Sequence, residues 1–280
     1  MSLSEEAFLS PEVDTLAAQA LSAFAPAEVS LAQRVNRFAV SVVKVPRDIR
    51  KRDSDLFAAT LLGRSIQDFE AAVILATRGL RAQSRSLVRS TLETALYCVA
   101  ASRDQVLAQG AARKAKKDEP STTRFIDAIE GGHQRHRSQM ASGLQGLPET
   151  PPELAGSMRT LLDEIGTPGQ HQDVNLLGLA EDLGLSDLYT VVYRPLSQDA
   201  HPTATSLEHH IELTAERKIA GLRIGPDYEQ FAETLLLAVC SLFVALDGFL
   251  ERLGDDKERQ EMKALAAAYR QACEPGEQSS

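Results

Sequence analysis

Tryptophan is absent from this 280-residue chain, aromatic residues amount to 5%, and cysteine occurs three times. So scant an aromatic supply argues against recognition of single-stranded nucleic acid by base stacking. Cys98, Cys240 and Cys273 are odd in number and far apart, which excludes a disulfide framework and a CxxC metal pair. Cys98 and Cys240 sit inside apolar runs, where a free thiol acts as a small hydrophobe, and this usage fits a reducing cytoplasm. Cations are in the minority: 30 Lys and Arg face 39 Asp and Glu, for a net charge of −9. That balance opposes a surface that binds nucleic acid everywhere, although not a local basic groove. There is no Walker loop, no GxGxxG after a strand and no GxSxG elbow. Long apolar runs are also missing. The most apolar segment, Thr234 to Leu250, is 17 residues long and contains Asp247, so it reads as a buried core helix rather than a membrane span. The acidic start, MSLSEEAFLSPEVD, lacks the basic and apolar regions of a signal peptide. A cytoplasmic chain is expected.

What is present is ordinary globular material, 43% hydrophobic and 25% charged, in a chain long enough to bury a real core. Residues 11–24 and 28–43 read as amphipathic helices, started by Ser10-Pro11 and split at Ala25-Pro26. A basic run, 44–53, reads as a solvated connector or a contact patch for an anionic partner. A helix over 54–78, the bend-permitting Gly79 and a helix over 80–101 form an antiparallel hairpin that supplies half of the core. In the middle of the chain, helices are expected at about 123–141 and from Pro151-Pro152 to Glu164, and a later one is capped by Ser186. Alternation over 209–224 allows a small β-hairpin. Phe231, Leu235, Ala238, Leu242, Leu246, Phe249 and Leu253 repeat with helical period and mark 227–253 as the central helix. A last helix, about 255–273, precedes a polar tail. The expected fold is all-α: a single-domain multi-helix bundle with N-terminal helices (1–45), a helical core (54–253), a C-terminal helix and tail (254–280), and at most one small β-hairpin.

Two patterns stand out within this frame. Arg81, Arg85, Arg89 and Glu93 recur every four residues and therefore share a stripe on one helix. Arg81 and Arg85 project in nearly the same direction as Val88, Leu92 and Val99, so the cations border the core. Buried arginine needs a partner. Either the stripe is a structural ion-pair network, with Arg85 reaching an acid on a neighbouring helix, or Arg85, Arg89 and Glu93 line a pocket for an anionic ligand. The second pattern is Tyr193, Ser197 and His201, spaced i, i+4, i+8, with Arg194 seven residues before His201. Pro195 is expected to kink this helix. A histidine at a helix end is often a cap or a packed residue. The density of polar groups here suggests instead that Tyr193 and Ser197 line a site beside the stripe.

Metal-ligand spacings are incomplete. Glu130-Gly-Gly-His133 and His133-x2-His136 supply one ligand-like string where a dimetal bundle needs two, and His209-His210 point to opposite faces of a strand. No metal and no cofactor is expected.

The pieces Arg89-Ser90-Thr91-Leu92-Glu93 and Tyr193-x3-Ser197-x3-His201-Pro202 resemble an uncharacterised all-helical bacterial family of unknown function, whose members pair an R-S-L-x-E helix with a Tyr-x3-Ser-x3-His helix. One extra residue separates Ser90 from Leu92, so Arg, Ser and Glu carry over. The resemblance spans roughly 55–250 and implies an all-α fold with these groups near each other. Arg194-x6-His201 is also similar to the signature of the HEPN ribonucleases, helical-bundle dimers, with Pro195 where they usually carry a polar residue. That likeness implies metal-independent RNA cleavage, with His201 moving protons and Arg194 stabilising the charged phosphorane. The alternative is a non-catalytic protein that uses the Arg85, Arg89, Glu93, Tyr193 and Ser197 pocket for binding. The partners under consideration are RNA, a small anionic ligand and a second copy of the chain in a homodimer; no membrane is expected.

Overall fold

The computed structural model describes residues 7–47, 53–103, 175–200, 207, 210–216, 218–222 and 224–274. Its order is a 3-10 turn (Ala7–Leu9), α1 (Glu12–Ala23), α2 (Pro26–Lys44), α3 (Asp53–Thr77), α4 (Arg81–Ser102), α5 (Leu176–Asp182), a composite helix α6 (186–200), β1 (Ile211–Leu213), β2 (Ile219–Leu222), α7 (Phe231–Leu253) and α8 (Asp256–Cys273). The chain is all-α with one minor hairpin. The helices expected at about 123–141 and from Pro151 to Glu164, with Glu130, His133 and His136, lie outside the described residues, as do His201 and His209.

Local chemistry sets the helix ends. Ala25 takes a left-handed conformation (φ 51°) and Pro26 opens α2 at its first turn, where a missing N–H costs nothing. Gly79, at φ 74°, reverses the chain between α3 and α4. A Cβ at Gly79 would come within 2.6 Å of Pro226, so close packing as well as the positive φ requires glycine there. At the start of α8 Asp255 accepts from the Glu258 amide while Glu258 accepts from Asp255, a reciprocal capping box. Glu258 also pairs with Arg47, whose Nε donates to the Leu253 carbonyl at 3.1 Å and whose guanidinium lies 5.4 Å from the Phe249 ring centre. Arg47 is therefore an anchor for the α7–α8 corner and not part of a freely solvated connector.

The α3–α4 hairpin and α7 form the centre. Leu62 and Phe69 of α3, Val88, Leu92, Ala95 and Cys98 of α4, and Leu242, Leu246 and Leu250 of α7 fill one cluster, joined by Val35 and Val42 of α2. Each such side chain contributes about 1.5–3 kcal/mol of burial free energy. α7 is long and apolar enough to cross a membrane by length and composition. In the structure it is wedged among α2, α3, α4 and α8. Gly248 lets α7 approach α4 so closely that an added Cβ would lie 2.7 Å from Val99 Cγ2.

α6 is interrupted next to Pro195, by a π turn that the spacing does not announce. It runs as α over Ser186–Leu188, as a π-helix over Tyr189–Tyr193 and as α again over Arg194–Ala200, with the Arg194 amide donating to the Tyr189 carbonyl. A proline in a helix collides with the carbonyl four residues earlier. The wider π turn moves that carbonyl aside, and Pro195 lies in the first turn of the second short α segment, Arg194–Ala200. Ser186 is the first helical residue and not a cap; its carbonyl accepts from Thr190 Oγ1 at 3.0 Å. β1 and β2 pair antiparallel, Ile211 opposite Leu222 and Glu212 opposite Gly221, with an irregularity between Glu212 and Leu213.

Candidate functional site

The arginine stripe and the ladder helix meet. Arg81 and Arg85, at the start of α4, are 8% and 5% exposed, as their alignment with Val88 and Leu92 requires. Arg85 donates from Nε to Asp199 Oδ2 at 2.6 Å and from Nη1 to Glu233 at 3.3 Å and Thr234 Oγ1 at 3.5 Å. Arg81 reaches Asp227 at 3.3 Å, Glu229 at 3.1 Å and the Gln230 side chain at 2.5 Å. Both charges are thus matched by carboxylates from α6, α7 and the segment before α7. Arg85 is a structural cation whose donors are engaged by protein acceptors.

Arg89 differs from both. It is half-buried, with Nε donating to Ser197 Oγ at 2.9 Å and Nη2 to the Tyr193 hydroxyl at 2.5 Å. Its guanidinium also lies 4.8 Å from the Tyr193 ring centre, a cation–π contact, and Tyr193 stacks on Tyr189 at 4.9 Å. Glu93 sits one turn on: 3.7 Å from Arg89 and 3.4 Å from the Tyr193 hydroxyl, which donates to it. Burial raises the Tyr193 pKa, the Glu93 charge adds to this, and Arg89 acts against it. The phenol therefore stays protonated and able to donate. Ser90 turns the other way and donates to Asp68 at 3.0 Å, where Arg64 also binds through Nε at 3.0 Å to each carboxylate oxygen.

Arg89, Glu93, Tyr193 and Ser197 form one packed constellation. Neither of two cavities in the molecule is lined by them. The nearer, of about 340 Å³, is bordered by Arg81 and Asp199 and by Leu222 and Ile224 of the hairpin side. Arg194 is exposed on α6, and its side chain makes no hydrogen bond or ion pair among the described residues. His201 follows the last described residue of α6, so its position relative to Arg194 and Glu93 lies outside the described residues.

Sequence reasoning missed the acids. Asp227, Glu229 and Glu233 lie just before or within α7, where they read as ordinary polar flank. Asp199 was legible only as one of several polar groups. The usable signal was electrical: two core-facing arginines demand carboxylates, and Asp199 is the only acid in the 187–206 segment besides Asp187.

A family model described as a family of unknown function (DUF5677) matches residues 55–219, which takes in the α3–α4 hairpin, α6 and β1. No curated protein and no solved structure matches the chain.

Proposed function

The chain belongs to DUF5677, a family of unknown function, and since that membership supplies no activity we propose from the chemistry of α6 that it is a HEPN-like, metal-independent RNA-cleaving effector of a bacterial stress or defence system. The observation that carries the reading is the division of labour on α6. One side is bolted to α4 through Ser197, Tyr193 and Asp199, while Arg194 stands exposed with no described partner. A cation fixed at its root and free at its tip suits a phosphate diester arriving from solvent. Seven residues are about two helical turns, so the spacing of Arg194 and His201 favours a shared side. In the proposed reaction His201 takes the proton of the ribose 2′-hydroxyl, whose oxygen attacks phosphorus. Arg194 balances the charge on the phosphorane, and the 5′-oxygen leaves with a proton returned to it. A cyclic phosphate and a 5′-hydroxyl result. Arg85, Arg89, Glu93, Tyr193 and Ser197 hold the platform.

The test is cleavage of a single-stranded RNA in the presence of a metal chelator. Wild type should cut it, and Arg194→Ala and His201→Ala should each lose about 100-fold or more in rate. Equal rates for all three proteins would end this reading. A second reading, a non-catalytic site for a small anion, is favoured by the half-exposed Arg89 and its loose 3.7 Å contact with Glu93. In that case inorganic phosphate would stabilise wild type and His201→Ala but not Arg89→Ala.

A further inference from the structure

We propose that the cavity between the start of α4 and the β-hairpin binds a small amphipathic cation, a molecule with an apolar body and one ammonium head. The site does not overlap the exposed face of α6 and its occupancy does not depend on any RNA chemistry. The volume, about 340 Å³, is within the range of small-ligand sites. Phe8, Leu80, Leu222 and Ile224 provide the apolar wall, and Asp199 and Asp227 the acidic end. Leu222 and Ile224 are each 71% exposed, an apolar rim that a ligand would cover.

Charge decides the head group. Among the described residues at this end of the bundle two guanidinium groups, Arg81 and Arg85, face four carboxylates, Asp199, Asp227, Glu229 and Glu233, an excess of two negative charges. Arg81 borders the cavity, but it already donates to Asp227, Glu229 and Gln230, so little of its charge is left for an anion. Asp199 is mostly buried, and its Oδ2 takes Arg85 at 2.6 Å. Two carboxylates at the end of an apolar cavity favour a charged donor over a neutral one as the ligand's head. The wall is rigid: the Asp227 amide donates to the Gly79 carbonyl at 2.9 Å, and Pro226 packs on Gly79 with no room for a side chain.

Three probes with the same ring system separate the head groups: 1-naphthylmethylamine, 1-naphthalenemethanol and 1-naphthoate. They are titrated into the full chain at pH 8. The amine should bind at least about tenfold more tightly than the alcohol, and the carboxylate more weakly still. Asp227→Asn should remove the preference for the amine while leaving the alcohol unchanged, because Arg81 keeps Glu229 and Gln230. Leu222→Trp, at an exposed hairpin position, should abolish binding of all three without loss of fold. Equal affinities, a preference for the carboxylate, no binding by any probe, or amine binding untouched by both substitutions would overturn the assignment.

Discussion

Arg85 Nε and Asp199 Oδ2 lie 2.6 Å apart, joining α4 to α6 across 114 residues of sequence. Both side chains are largely withdrawn from water, 6% and 13% exposed. A charge in that position cannot lose its partner cheaply.

Arg85→Ala should therefore cost about 3 kcal/mol, since Asp199 is left as an uncompensated buried charge. Arg34→Ala, on the exposed side of α2, should change stability by less than about 0.5 kcal/mol. Urea midpoints at neutral pH measure both. A common midpoint would mean that the Arg85 contact is not formed in solution.

Arg89 and Tyr193 should be energetically coupled. Arg89→Ala and Tyr193→Phe each remove one side of a 2.5 Å hydrogen bond, and the phenylalanine keeps the ring under the guanidinium. A double-mutant cycle should return about 1 kcal/mol of interaction. Strict additivity would show that the two groups do not touch.

How much of this could be read from the chain alone follows from what period encodes. The α3–α4 hairpin, α7 and α8 were legible to within a few residues at each end, because their apolar positions repeat over about five turns or more and Gly79 marks the reversal. The placement of Arg81 and Arg85 against the core was legible for the same reason. Partner identity was not, because the acids that answer them come from separate elements whose approach depends on the whole packing. The interruption of α6 at Pro195 was legible but its form was not, because Pro195 forbids a regular α turn without stating how the helix will yield. It yields by widening.

Alkaline stability reports on the tyrosines. Burial raises the pKa of Tyr193, Tyr228 and Tyr269 above the usual 10.0, most of all for Tyr269, where Cys240 is the next contributor. The buried thiols Cys98 and Cys240, also raised from 9.0, act the same way, so stability is full below about pH 9 and falls beyond it, more steeply above pH 10 as the unfolded chain loses tyrosine protons that the folded chain retains. Urea midpoints between pH 9 and 11.5 should decline, and Tyr269→Phe should flatten the decline most. A flat wild-type profile would contradict the burial of these phenols.

Thiol reactivity should be graded. Cys273 is exposed, Cys240 is half-buried, and complete burial pushes the Cys98 thiol up to about 12. A disulfide reagent at pH 8 should modify Cys273 first and Cys98 only on unfolding. Early labelling of Cys98 would place it outside the core.

Gly248→Ala should destabilise by about 1–3 kcal/mol, since its methyl would enter the space of Val99 and drive α7 off α4. Thermal melts of that variant beside Gly63→Ala, where nothing lies within 4 Å, give the comparison. Equal melts would rule out the close crossing.

The π turn over Tyr189–Tyr193 makes chain length and the identity of position 195 a matched pair. A bulge of this kind holds one residue more than the α turn it replaces, and the flanking helix keeps its rotational phase on both sides. Deleting Val191, which is exposed, would leave Ser197 and Asp199 aimed at Arg89 and Arg85 but would restore the collision between the proline and the preceding turn. Pro195→Ala removes that collision. The deletion alone should thus cost about 3 kcal/mol, and the deletion combined with Pro195→Ala far less. An insertion and a proline that would each disturb a helix tolerate one another here, and a homologue lacking one of them should lack both.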